Sequence, residues 1–328
     1  MRRLTEIEDL SGLVREALGP GSRAVSVERL RGGSKKGVYR VRVDGAPVTR
    51  VIVYSWAEAE NFWPGQARAD PGDPFAPASG LVPFLAARRA LDDLGVRVPR
   101  VLLADGGRRL HPADVAVVED VSEDTLERLF EADPARAAAA LDDLAAATDT
   151  MHRHRAPRYG RLDLPREDGT ASGVSCERLV LDRALADLAE ASGRDRRIAA
   201  EADRLRDRLH HLAARVAPRA EYGLIHGELG PDHVLVDADG RAVLIDIEGV
   251  MHFDVEWEHV FLRLRFGDRY PVLSRPGLDP RRMDLYALAM RLSLVAGPLR
   301  LLDGDFPDRA AMAGIAEHNL TAALALLH

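Results

Sequence analysis

The sequence predicts an α+β fold in two parts, a small antiparallel sheet followed by a larger, mainly helical region. Three observations predict it. Alternating apolar and polar residues recur in three short runs between Ala24 and Tyr54, with turn residues between them. After Ser122 the apolar spacing is helical almost throughout. Strand and helix runs do not alternate along the chain, as a doubly wound parallel sheet would require.

The elements follow in order. Ile7, Leu10, Leu13, Val14 and Leu18 have helical spacing, and Gly19-Pro20 ends that helix. Ala24–Leu30, Gly37–Val43 and Val48–Tyr54 read as three antiparallel strands. The turns between them are Arg31-Gly-Gly-Ser-Lys-Lys-Gly37 and Asp44-Gly-Ala-Pro47. Ser55–Ser79 is a long Pro-rich loop whose Trp and Phe residues favour packing over disorder. Leu81–Leu94 is a helix closed by Gly95, and Val98–Leu103 and Asp114–Val118 are strands that complete the sheet. Asp133-Pro134 caps a helix running to about His152, because Pro suits the first helical position. Arg155–Gly173 reads as a loop, followed by helices to Ala191 and from Asp195 to Val216. Asp254–Phe266, Arg281–Val295 and Asp308–Leu327 are the last helices.

Two matching pieces interrupt the helical part. Leu224-Ile-His-Gly-Glu-Leu-Gly-Pro-Asp-His-Val-Leu-Val-Asp237 and Val243-Leu-Ile-Asp-Ile-Glu-Gly249 each carry a short apolar strand flanked by polar residues. Asp237-Ala-Asp-Gly240 joins them as a hairpin turn, since Asp-Gly tolerates positive φ. A hairpin brings the residues before its first strand toward those after its second. Glu228, His233 and Asp246 are therefore expected to meet, a set that can hold a cation and take a proton from a hydroxyl.

This pattern resembles the aminoglycoside phosphotransferase family, a branch of the protein-kinase-like fold. That family carries His-Gly-Asp-Leu-x-x-x-Asn, a hairpin, and then Ile-Asp-Trp/Phe-Glu. The chain has His226-Gly-Glu-Leu-Gly-Pro-Asp-His233 and Ile245-Asp-Ile-Glu248. Glu228 stands where the family has its catalytic Asp, and His233 where it has a metal-binding Asn.

The resemblance implies a bilobal fold, with an N-lobe over 1–118, a hinge over 119–122 and a helical C-lobe over 123–328. It implies ATP or GTP with Mg²⁺ or Mn²⁺, and transfer of a phosphoryl group to a hydroxyl of a small molecule. The acceptor would be an aminoglycoside or other antibiotic, a sugar, or an amino alcohol. Glu228 would receive the hydroxyl proton, and His233, Asp246 and Glu248 would face the metal. Imidazole suits Mn²⁺ better than Mg²⁺, which prefers oxygen. Gly32, Gly33, Ser34, Lys35 and Lys36 would lie over the phosphates, and the backbone of Glu119 and Val121 would receive the base. His226 would brace the loop, and Asp254 and Glu258 would be structural.

Such folds also pair a Lys on the third strand with a Glu on the next helix. Val53 occupies the Lys position here, and Leu81–Leu94 contains no Glu, so the usual pair is missing from both sides. Lys35, Lys36 and Arg50 are the cations that could replace it. These departures leave a second reading, a kinase-like nucleotide-binding module with little or no transfer.

Composition sets the outer bounds. The chain has 328 residues and a formal net charge of −7, which argues against a nucleic-acid binder. One cysteine, Cys176, excludes an intrachain disulfide and any multi-Cys zinc site, and with it a zinc deaminase. Met1-Arg-Arg followed by an acidic stretch does not read as a signal peptide, and no uninterrupted apolar run approaches the ~20 residues of a membrane span. The expected compartment is the cytoplasm, with no membrane partner.

Overall fold

The computed structural model describes residues 4–30, 33–63, 73–76, 78–122, 124–164 and 175–327. In chain order the elements are α1 (Ile7–Leu18), β1 (Arg23–Arg29), β2 (Gly37–Asp44), β3 (Arg50–Ser55), α2 (Leu81–Asp93), β4 (Val101–Asp105) and β5 (Val115–Glu119). Next come α3 (Leu126–Ala132), α4 (Pro134–Arg153), β6 (Arg155–Ala156), β7 (Gly160–Arg161), α5 (Cys176–Ser192) and α6 (Arg196–Ala213). The remainder are β8 (Tyr222–Ile225), β9 (Val234–Val236), β10 (Ala242–Leu244), β11 (Met251–Phe253), α7 (Val255–Phe266), α8 (Tyr270–Leu273), α9 (Pro280–Leu302) and α10 (Arg309–Ala325).

These elements form two compact units. The first comprises Met1–Phe62, Pro77–Ala147 and Pro231–Gly249. Its sheet is antiparallel, in the order β1-β2-β3-β5-β4. One face is sealed by α1, whose Leu10, Leu13 and Val14 are buried with Tyr39, Val41, Val51, Val53, Val115 and Val117. Those partners alternate along β2, β3 and β5, as side chains on one face of a pleated strand must.

The hairpin β9–β10 belongs to this unit, with Ala242 opposite Val236 and Leu244 opposite Val234. Asp237 makes its turn: Oδ1 accepts from the N–H groups of Asp239 (3.0 Å) and Arg241 (2.9 Å). Gly240 supplies the positive φ of +79°. So short a ribbon is not stable alone. It is tied down from outside: Val236 N–H donates to the Asp124 carbonyl, Leu244 N–H to the Arg97 carbonyl, and Ala242 N–H to the Asp143 carboxylate. The Arg136 guanidinium donates to the carbonyls of Val236 and Asp237.

The second unit comprises Trp63–Ala76, Thr148–Gly230 and Val250–His328. Its small sheet runs β6-β8-β11-β7, with Met251 opposite Ile225. Strands β6, β7 and β11 are two or three residues long, too short to show alternation, so the sequence reads them as loop or leaves them out. Helices α5, α6, α7, α9 and α10 pack into one core containing Leu188, Leu205, Trp257, Leu285 and Leu320. α9 is long and apolar enough on length and composition to cross a membrane, although the linear reading finds no uninterrupted apolar run of that length. Leu285, Tyr286, Leu288, Leu292 and Val295 of that helix are buried in this core.

An ionic network lies beneath β11. Asp254 is fully buried against Arg282, Tyr286 (2.5 Å) and Arg219 (3.5 Å), and Glu256 takes two bonds from Arg219 at 2.7 and 2.8 Å. Burial pushes the Asp254 carboxyl up, against the pull of Arg282. Asp254 therefore holds its helix in place, in keeping with a structural assignment.

Candidate active site

In the first unit the site is built around the β1–β2 connection. Leu30 N–H donates to the Val38 carbonyl at 2.8 Å, which closes the two strands just before the turn. Gly32 lies outside the described residues. Gly33 presses on the far side of the turn: a Cβ there would come within 2.2 Å of the Lys36 carbonyl. A Cβ on Gly37 would meet the Glu60 carboxyl and the Tyr39 ring, both at 2.6 Å. Lys36 is thus held between two positions where only glycine fits without a shift. Ser34 and Lys35 are half-buried, and their carbonyls accept from Phe62 N–H (2.8 Å) and Ser79 Oγ (3.2 Å).

Lys36 turns inward and is only 6% exposed. Its Nζ lies 2.5 Å from Glu248 Oε1, 3.0 Å from Asp246 Oδ1 and 4.8 Å from the centre of the Tyr54 ring. Trp56 Nε1 donates to the same Glu248 oxygen at 3.2 Å. Tyr54, Trp56 and Phe84 of α2 pack edge-on or tilted, 5.5–6.1 Å apart, and wall this corner. Burial alone would lower the Lys36 pKa, but the Glu248 and Asp246 charges outweigh it and hold the group well above its ordinary value. Burial pushes the Tyr54 phenol up to about 12.

Asp246 has φ +59°, one of two positive-φ residues other than glycine among those described. Asp tolerates that region better than most residues. The conformation turns the chain sharply out of β10 into the single 3-10 turn Ile247–Gly249, so Asp246 and Glu248 both reach Lys36. Burial works against the Asp246 anion, yet Lys36 and then His233 hold its carboxyl well below the usual range. With 43% of that side chain in solvent, screening limits what the pairing adds to stability.

His233 ends the 3-10 turn Pro231–His233, and its backbone carbonyl accepts from Ile245 N–H at 3.0 Å. Its Nε2 is 3.8 Å from carboxylate oxygens of both Asp232 and Asp246. Among the described residues, no three His, Cys, Asp or Glu side chains converge as a ready metal cage. Two carboxylates still fit Mg²⁺, which keeps waters and is completed by phosphate oxygens rather than by an all-protein shell.

With no Lys on β3 and no Glu on α2, the ion pair at this corner is formed by a lysine from the glycine-rich turn and an acid from the turn after β10. The sequence left three cations open. Arg50 pairs instead with Asp120 at 3.3 Å, alongside Arg40 at 2.8 Å. Of Lys35 and Lys36, only Lys36 is fully buried. What the linear reading missed was the aromatic corner. Tyr54 lies near the end of β3 and Trp56 just after it, which was the available signal. Glu119 closes β5 and pairs with Arg97 at 2.6 Å, and Val121, two residues on, is half-buried.

In the second unit, Glu228 lies exposed on the loop that leaves β8. That loop is pinned at its base. The N–H groups of His226 and Gly227 donate to the two oxygens of Glu258, at 2.6 and 3.0 Å. Glu258 is fully buried, and His152 Nε2 approaches it at 3.6 Å. Burial opposes the Glu258 anion, but His152 outweighs it and holds the carboxyl below its ordinary range. His259, whose ring lies tilted 5.0 Å from that of His152, is pushed down to about 3 by burial and by that neighbour, so it stays neutral. His252 and His259 are both buried packing residues.

One result follows for the turn. Gly37→Ala is expected to cost about 1–3 kcal/mol, the usual price of overpacking. It should also displace Lys36, so nucleotide affinity should fall with it. Urea unfolding and calorimetry on the same samples check both.

A helical region joined to an antiparallel sheet, with an acidic hairpin and a buried lysine, defines a protein of the kinase-like fold. The chain belongs to the phosphotransferase enzyme family (APH), which matches residues 26–286, and is by that membership a small-molecule kinase. No curated protein matches it significantly in sequence. Among solved structures it is similar to the aminoglycoside phosphotransferase APH(4)-Ia, at 17% identity and TM-score 0.61 over 96% of this chain and 98% of that one. A thermostable mutant of that protein has been solved as a ternary complex with ADP and hygromycin B, with 17% identity, TM-score 0.59 and the same coverage. Choline kinase LicA from Streptococcus pneumoniae gives 16% identity and TM-score 0.59, over 98% of this chain and 96% of that one. A putative fructosamine-3-kinase from Thermobifida fusca YX-ER1 gives 22% and 0.52, over 96% and 98%. At these identities the structural likeness speaks for the fold.

Proposed function

We propose that this chain transfers the terminal phosphoryl group of ATP or GTP to a hydroxyl of a cationic small molecule, an aminoglycoside or an amino alcohol. The observation that carries the reading is the buried Lys36 held by Asp246 and Glu248 at the end of the acidic hairpin. Phosphoryl transfer asks the protein mainly to position groups and neutralise charge, and these are groups of that kind. The net charge of −7 and the exposed Glu228 carboxylate suit a cationic acceptor. Two of the similar structures are named for hygromycin B and choline chemistry, which points the same way.

Each residue then has a role. Glu228 orients the acceptor hydroxyl and receives its proton. Gly33, Ser34 and Lys35 offer backbone groups to the phosphates. Glu119 and Val121, at and just after the end of β5 in the first unit, offer backbone groups to the base. Asp246 and Glu248 would hold Mg²⁺ or Mn²⁺, with His233 at the edge. The ion would supply charge neutralisation on the phosphates.

The test is nucleotide turnover across a library of aminoglycosides, amino alcohols and sugars, with Mg²⁺ and with Mn²⁺. Turnover confined to cationic acceptors is the expected result. Silence with every acceptor and both metals, in a sample that still binds ATP, would favour the second reading of a nucleotide-binding module. The observation on that side is the pair of replacements Glu228 and His233.

A further inference from the structure

The Lys36 ammonium sits between two carboxylates at hydrogen-bonding distance, 2.5 Å from Glu248 and 3.0 Å from Asp246, and it is almost wholly buried. The second oxygen of Glu248 is also buried, and no hydrogen-bond partner reaches it. A buried carboxylate normally satisfies both oxygens, so this one marks a coordination position left over. Tyr54 and Trp56 hold the lysine and Glu248 from one side, which keeps water from replacing either partner.

We propose that Lys36 is a cation latch: in the nucleotide-free protein its ammonium takes the place of a divalent ion between Asp246 and Glu248, and it must turn to the phosphates before that ion can bind. The inference rests on the reading of Asp246 and Glu248 as metal ligands. It goes further in assigning one side chain two alternating partners. Free metal is excluded because two like charges cannot share the gap. A metal–nucleotide complex is admitted because its phosphates give the ammonium new acceptors. The displaced lysine is therefore useful where it stands. A lysine on β3 would start from another strand, away from the glycine-rich turn that covers the phosphates.

The two activities of Lys36 predict effects of opposite sign. Lys36→Met should bind free Mn²⁺ more tightly than the unaltered protein, on the order of tenfold to a hundredfold, because one close positive charge is gone. The same variant should bind ATP more weakly by a similar factor. Lys36→Arg keeps the charge and should leave Mn²⁺ binding low. Adding Glu248→Gln to Lys36→Met should cancel the gain. Mn²⁺ binding is read by electron paramagnetic resonance without nucleotide, and ATP binding by calorimetry. If Lys36→Met is too unstable to purify, Lys36→Gln keeps a hydrogen bond to Glu248 and replaces it. Unchanged or weaker Mn²⁺ binding in a folded variant overturns the latch. Absence of ATP binding in the unaltered protein would instead sink the kinase reading, and the Mn²⁺ comparison would still decide the latch on its own.

Discussion

Glu228→Gln is expected to lower kcat by about 10²–10⁴-fold, the usual worth of a positioned general base. Nucleotide affinity should hardly change, because no part of the nucleotide depends on that carboxylate in the roles set out above. The substitution keeps size and removes only the charge and the proton acceptor. Single-turnover kinetics with the best acceptor, run across a range of ATP concentrations up to saturation, separates the two quantities. A fall in affinity with kcat preserved would reassign Glu228 to binding. The shorter Glu228→Asp carries separate information. If the site is fitted to glutamate, pulling the carboxylate back by about 1 Å should cost on the order of 100-fold. A rise in activity would instead mean that the loop still has the geometry of an aspartate site.

Much of this was open to a linear reading, and the reason differs from one residue to the next. Asp237-Ala-Asp-Gly240 specifies its own turn, because the Asp237 carboxylate and the Gly240 backbone act within five residues. Local chemistry of that kind survives in sequence. In the first sheet β2 was legible by alternation, one face being sealed by α1, whereas β3 and β5 are buried on both faces and read as short apolar runs. Lys36 was legible only as one of three cations. Its partner Glu248 lies 212 positions away, and nothing local distinguishes an inward lysine from a solvated one. The same holds for β11, whose three residues are defined by pairing with Ile225, Leu224 and Gly223 rather than by a pattern of their own. The usual pair is missing from β3 and α2, as the sequence reads, but that reading does not find Glu248 as the acid beside Lys36. Charge balance can be met by any two elements that reach the same corner, and here those are the glycine-rich turn and the turn after β10. What sequence does carry is the requirement, since a buried lysine without an acid would not be tolerated.

Glu258→Ala should be the most destabilising single change at the site, by about 3–5 kcal/mol, the range for breaking a buried charged pair. Glu258 is fully buried, and its two oxygens are the acceptors for His226 and Gly227 N–H, with His152 at 3.6 Å. Truncation leaves two buried N–H donors without acceptors in the loop that carries Glu228. Glu258→Gln separates charge from shape. Its amide oxygen can serve one N–H, but its NH₂ would face the other donor, so about 1–3 kcal/mol of the loss should remain. Urea unfolding measures both, and kcat should fall in Glu258→Gln even where the protein is fully folded, since the base of the Glu228 loop has shifted. The pH dependence has a definite sign. A carboxyl whose folded pKa is depressed gives stability that is complete above its unfolded value of about 4.3 and is lost as pH falls through the lower, folded value. Acid unfolding of the unaltered protein should therefore steepen below about pH 4, and Glu258→Gln should flatten that limb. A variant that kept both the stability and the steep acid limb would show that the loop is braced elsewhere.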